Sequence, residues 1–189
     1  MRPFPKARIE ALTDGIFAFA MTLLVVDLRL PDHLAITTSA QLWAQLGELV
    51  PQAVAYVISF FVLAALWRGA ISVRHDAQEV GAGALHLWVW YLLFVTMVPF
   101  SSALVGRYGN LPPAVWLYAA NMAALGGLSI PLHRLEVEPA ARAAARQGER
   151  NTWIFIGSAA VSVAVSLISP RHAMYAYLLN VLGRLPPLR

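Results

Sequence analysis

The chain has 189 residues, of which 59% are apolar and 13% charged, with a formal net charge of +4. The charged share is about half that of an ordinary soluble domain, and the mean hydropathy is +0.61. This excludes a soluble globular protein and points to an all-α integral membrane protein. The chain has no cysteine, which excludes a disulfide framework, a thiolate nucleophile and a cysteine metal site.

A helix needs roughly 20 apolar residues to cross the hydrocarbon. Six spans are expected, at 8–30, 47–68, 80–106, 111–133, 151–169 and 171–185, within a single transmembrane domain covering 1–189. The opening "MRPFPKAR" looks like the basic region of a signal peptide, and Ala18-Phe19-Ala20 like a cleavage site. The longest apolar run, Met21–Val26, follows that site rather than preceding it, so a retained helix is expected. Pro51 falls in the first turn of the second span, where its missing N–H does little harm. "YGNLPP" separates the third span from the fourth, and "PRH" the fifth from the sixth. Trp43, Trp67, Tyr108, Trp116 and Trp153 fall near expected ends, as interfacial aromatic residues do.

With both termini in the cytoplasm, only Arg29, Arg107 and Arg171 of the 14 Lys and Arg fall outside. That bias satisfies the positive-inside rule and accounts for the net charge without nucleic acid. The stretch 134–150, "RLEVEPAARAAARQGER", is the only sizeable polar connection. It reads either as a solvated cytoplasmic linker or as a basic surface for anionic lipid or a regulator.

The sequence has no HExxH, GxSxG, P-loop or DxD-type cluster, so no enzyme and no cofactor is expected. Of five histidines, His86 alone is expected inside the bilayer, either bonded to a helix neighbour or functional. The first span carries more information. Charges in hydrocarbon cost about 2.5–3.5 kcal/mol each on insertion scales, yet Arg8, Glu10 and Asp14 crowd its start. Arg8 and Asp14 point to different sides, and Glu10 and Asp14 repel. Asp14 therefore needs a partner on another helix or subunit, while for Arg8 and Glu10 a place among headgroups is an equal alternative. Further on, Gly15, Phe19, Thr22 and Val26 recur at spacings of four, three and four and share one helix face. Around a symmetry axis that face makes rings: an apolar constriction at Phe19 and hydroxyl oxygens at Thr22. The same spacing also serves ordinary helix packing.

"RIEALTDGIFAFAMTLLVVDLRLP" (8–31) resembles the first helix of the transmembrane protein 175 family. That family's hallmark is Arg, three residues, then Phe-Ser-Asp, and an Ala/Ile-rich run with Thr-Leu-Leu-Val. "YLLFVTMVPFSSALVGRYGN" (91–110) is similar to the family's third helix, and Trp67 stands where the family closes its second helix with tryptophan. The resemblance implies a six-helix homotetramer in a prokaryotic inner membrane, conducting potassium along an axis lined by the first helices. It implies a constriction at Phe19 and a hydroxyl layer at Thr22, with Arg8, Thr13 and Asp14 knitting helices together. Trp67 and His86 are expected to belong to that polar network. Three departures stand out: Leu12 replaces the Phe, Thr13 the Ser, and Phe19 the usual Ile or Leu.

The function expected is therefore passive, potassium-favouring conduction. Gly15, Phe19, Thr22 and Val26 line the path, and the partners are other copies of the chain, the bilayer and potassium. Asp27, near the outer end, either concentrates cations or pairs with Arg29. The rivals are a non-conducting assembly protein of the same fold and a secondary transporter, for which His86 and Pro99 are the only midspan candidates.

Overall fold

The computed structural model describes residues 4–31, 35–72, 79–80, 82–136 and 142–177. The elements are β1 (Phe4–Pro5), α1 (Lys6–Val26), α2 (Ser39–Glu48), α3 (Val50–Ser72), β2 (Glu79–Val80), α4 (Ala82–Thr96), α5 (Val98–Tyr108), α6 (Pro112–Glu136) and α7 (Arg142–Ile168). A 3-10 helix follows at Pro170–Tyr177. The two short strands pair antiparallel, Phe4 with Val80 and Pro5 with Glu79. This ladder was not expected from the sequence. It ties the start of α1 to the segment after α3 and is the only departure from helix and turn among the described residues.

Four stretches are long and apolar enough to cross a membrane: Ala7–Val26, Val50–Ala70, Gly83–Tyr108 and Pro112–His133. The apolar part of α7, Thr152–Ile168, is shorter. Several expected boundaries need correction. The third span, expected at 80–106 with a kink at Pro99, is one membrane-length stretch, Gly83–Tyr108, made of two helices that meet at Met97, because Pro99 has no N–H to return to the carbonyl of Val95. The connection expected at 134–150 is helical on both sides: α6 runs to Glu136 and α7 starts at Arg142, while 137–141 lie outside the described residues. The sixth span, expected at 171–185, is a 3-10 helix up to Tyr177, and its remainder lies outside the described residues.

Helices α6 and α7 pack along each other, α3 packs on α5, and α1 lies against α3, α4 and α5. In a bilayer, lipid tails are as apolar as leucine, so helices associate through close packing and interhelical hydrogen bonds. Both occur here. A methyl group added at Gly106 of α5 meets Gln52 Cα at 3.1 Å and Ala55 Cβ at 3.2 Å, which shows how closely the α3 and α5 backbones approach. One turn away, the Ser59 hydroxyl of α3 donates to Ser102 Oγ at 2.8 Å, and Ser59 Oγ lies 3.0 Å from the Tyr118 hydroxyl of α6. Ser102 in turn donates to the Ala55 carbonyl at 3.3 Å. Beside this chain, Asn121 Nδ2 donates to Ser101 Oγ at 3.1 Å.

Candidate pore-lining face of the first helix

The two faces of α1 have opposite fates. Ile9, Thr13, Phe17, Ala20 and Leu24 are buried, at spacings of four, four, three and four. Phe17 packs its ring 6.2 Å from Tyr91 of α4, and Trp88 meets Tyr91 edge-on at 5.5 Å. The alternate set, Leu12, Gly15, Phe19, Thr22 and Val26, is left uncovered. Phe19 is 65% exposed and Val26 61%, and a methyl group at Gly15 meets nothing within 4 Å. Both sets follow a repeat close to the 3.6 residues of a helical turn, so each makes a seam along one side of the helix. The residues of the expected seam lie on the exposed side of α1, which also holds Ala11, Asp14, Ala18 and Val25.

Within that seam the Thr22 hydroxyl donates to its own helix, at the Phe19 carbonyl, over 2.8 Å. Its proton is directed inward along the helix, and the oxygen lone pairs are left for an outside donor or a cation. Thr13 behaves differently. It is wholly buried, and its hydroxyl donates to the Ile9 carbonyl at 2.7 Å.

The charges at the start of α1 are also placed. The Trp67 indole N–H of α3 donates to Asp14 Oδ1 at 2.9 Å. This brings together two of the five network residues, on different helices, as the argument from an unpaired carboxylate requires. Arg8 is exposed and lies in register with Gly15, Phe19 and Val26. His86, expected inside the bilayer, sits in the first turns of α4 with its side chain exposed, because α4 begins only at Ala82. At the other end of α1, Asp27 borders a cleft shared with Tyr56 and Gln52 of α3 and with Ser102 and Arg107 of α5. The cleft is roomy enough for about one water molecule.

Sequence reasoning missed the Ser59–Ser102–Tyr118 chain. Its only signal was the presence of hydroxyl residues inside apolar spans, which does not name their partners.

The family model for the endosomal/lysosomal potassium channel TMEM175 matches residues 8–99, which hold the α1 seam and the Asp14–Trp67 pair. The fold superimposes on the crystal structure of a lysosomal potassium-selective channel TMEM175 homolog from Chamaesiphon minutus with a TM-score of 0.81. That match covers 94% of each chain at 25% identity. The first half of the chain thus resembles the TMEM175 family in sequence, and the whole described fold resembles a TMEM175 homolog. A potassium channel of Streptomyces collinus is 34% identical over 103 residues, covering 54% of this chain and 48% of the relative. The mouse endosomal/lysosomal proton channel TMEM175 is 39% identical over 119 residues, covering 58% of this chain and 23% of the relative. The chain thus spans about half the length of the Streptomyces relative and less than a quarter of the mouse one. TMEM175 is a family of ion channels, not enzymes, in keeping with a sequence that carries no catalytic motif.

Proposed function

We propose that this chain belongs to the TMEM175 family and is a passive, potassium-favouring cation channel of a prokaryotic inner membrane. In this reading, four copies with six spans each and cytoplasmic termini surround an axis lined by α1. Phe19 forms the apolar gate ring, Thr22 the ring of hydroxyl oxygens and Val26 the outer mouth, with Gly15 widening the path below the gate. The observation that carries the reading is the uncovered α1 seam. It sets apolar groups and one hydroxyl in order along a single face, and the exposed Arg8 stands in register at its N-terminal end, where a purely lipid-facing surface is costly. Selectivity then arises from partial dehydration against the Thr22 oxygens, since the seam holds no carboxylate. The Streptomyces and Chamaesiphon relatives, named as potassium channels, support the choice of ion.

The test is potassium flux into liposomes holding the purified protein, with sodium as comparison. The expected result is a flux that favours potassium and rises in Phe19→Ala. No flux in either protein overturns the channel reading in favour of a non-conducting assembly protein, and saturable flux coupled to a second ion favours a transporter. A second reading, proton conduction, rests on the name of the mouse relative. An entrapped pH dye in the same vesicles separates it from potassium conduction.

A further inference from the structure

Helix α2 is built to be helical, yet the described residues bury none of it. Thr38 Oγ1 accepts from the Gln41 N–H at 3.3 Å, and Gln41 Oε1 accepts from the Thr38 N–H at 3.1 Å, which completes a capping box. Gln41 Oε1 also accepts from the Thr37 N–H at 2.9 Å. Despite this start, none of the ten residues of α2 is buried. A helix of that length is marginal in water and draws its stability from covering an apolar face.

Such a face exists. At 100° per residue, Leu42, Trp43 and Leu46 fall within about 100° of arc, and Gln41, Gln45 and Glu48 fall together on the other side. All three apolar residues are exposed, Trp43 by 74%. A single residue, Leu49, links α2 to α3, and its φ of −79° and ψ of −11° keep it right-handed helical. The apolar arc therefore runs into Val50, the first residue of a membrane span, and the uncovered surface continues along α3 at Val57 and Phe61.

We infer that α2 is an interfacial anchor whose Leu42, Trp43 and Leu46 insert at the headgroup–acyl boundary of the bilayer. Position selects lipid as the occupant: the arc is continuous in sequence and surface with a membrane span. Side-chain chemistry agrees. Tryptophan prefers that boundary, with its ring in the apolar layer and its N–H among headgroups. Glu48 is the only charged residue of α2, so the anchor acts through apolar insertion and requires no anionic lipid.

The absence of cysteine permits a direct test. Single cysteines replace Gln41, Leu42, Trp43, Gln45 and Leu46 in turn. Each is spin-labelled, reconstituted in phosphatidylcholine vesicles and exposed to two collision reagents: oxygen, which partitions into lipid, and a water-soluble nickel chelate. Oxygen collisions are expected to dominate at positions 42, 43 and 46, and nickel collisions at 41 and 45. Nickel-dominated collisions at all five positions overturn the inference by placing α2 in water. Shielding from both reagents at 42, 43 and 46 overturns it by placing protein, such as a second copy, over the face. Four of the five side chains are exposed and Gln45 is half-buried, so the fold tolerates the substitutions, and an unchanged thermal midpoint verifies this. The readout does not depend on ion flux, so it stands apart from the channel reading.

Discussion

Trp67 of α3 holds Asp14 of α1 through one hydrogen bond of 2.9 Å between the indole N–H and the carboxylate. The bond joins the N-terminal part of the α1 span to the C-terminal end of the α3 span. Trp67→Phe keeps most of the ring and deletes the donor. A hydrogen bond to an ionised group contributes about 1.5–3 kcal/mol when buried, and less here because Asp14 is exposed. The expected effect of Trp67→Phe is a loss of about 1 kcal/mol, read as a lower thermal midpoint in detergent. Asp14→Asn keeps an acceptor oxygen and is expected to lose less. Equal midpoints for all three proteins overturn this assignment.

The hydroxyl chain at the centre of the bundle has one direction. Ser102 donates to the Ala55 carbonyl and Ser59 donates to Ser102, so the Ser59 proton is already committed. At 3.0 Å, Tyr118 must then be the donor to Ser59. Ser59→Ala strands the buried Tyr118 donor, whereas Tyr118→Phe removes only the first link. Ser59→Ala is therefore expected to destabilise more. A double-mutant cycle should give a coupling of about 0.6 kcal/mol, the usual size between membrane helices. A coupling of zero shows that the two hydroxyls do not interact.

The sequence made some of this legible and hid the rest. Each face of α1 has a long, regular repeat, so both the buried and the open seam can be read from residue spacing. The need of Asp14 for an off-helix partner follows from the cost of a charge in hydrocarbon. Three features were harder. Thr38-Ser-Ala-Gln41 is a capping-box signature, but a ten-residue helix is too short to leave a membrane-length signal. The kink is legible from Pro99, but its place two residues earlier, at Met97, is not. The partners of Ser59 lie on two other helices, and such pairings are set by packing that residue spacing does not encode.

Thr22 is an exposed residue whose hydroxyl bonds only within α1, so Thr22→Val changes chemistry without changing shape. Folding and assembly are expected to be unaffected. The preference for potassium over sodium in liposome flux is expected to fall, while Thr22→Ser preserves it. An unchanged preference in Thr22→Val removes the hydroxyl ring from the proposed mechanism.

Two glycines separate folding from conduction. At Gly106 an added methyl group runs into the α3 backbone at Gln52 Cα and into Ala55. Backbone cannot swing aside, so α3 and α5 must separate, at a cost of about 1–3 kcal/mol. Gly106→Ala is therefore expected to lower the thermal midpoint. At Gly15 the same methyl group meets open space, and alanine suits a helix better than glycine by about 1 kcal/mol. Gly15→Ala is expected to keep or raise the midpoint. If the α1 seam surrounds an axis, however, one methyl group from every copy narrows it, and potassium flux drops. A stable Gly15→Ala protein with undiminished flux places the conduction path elsewhere than along this seam.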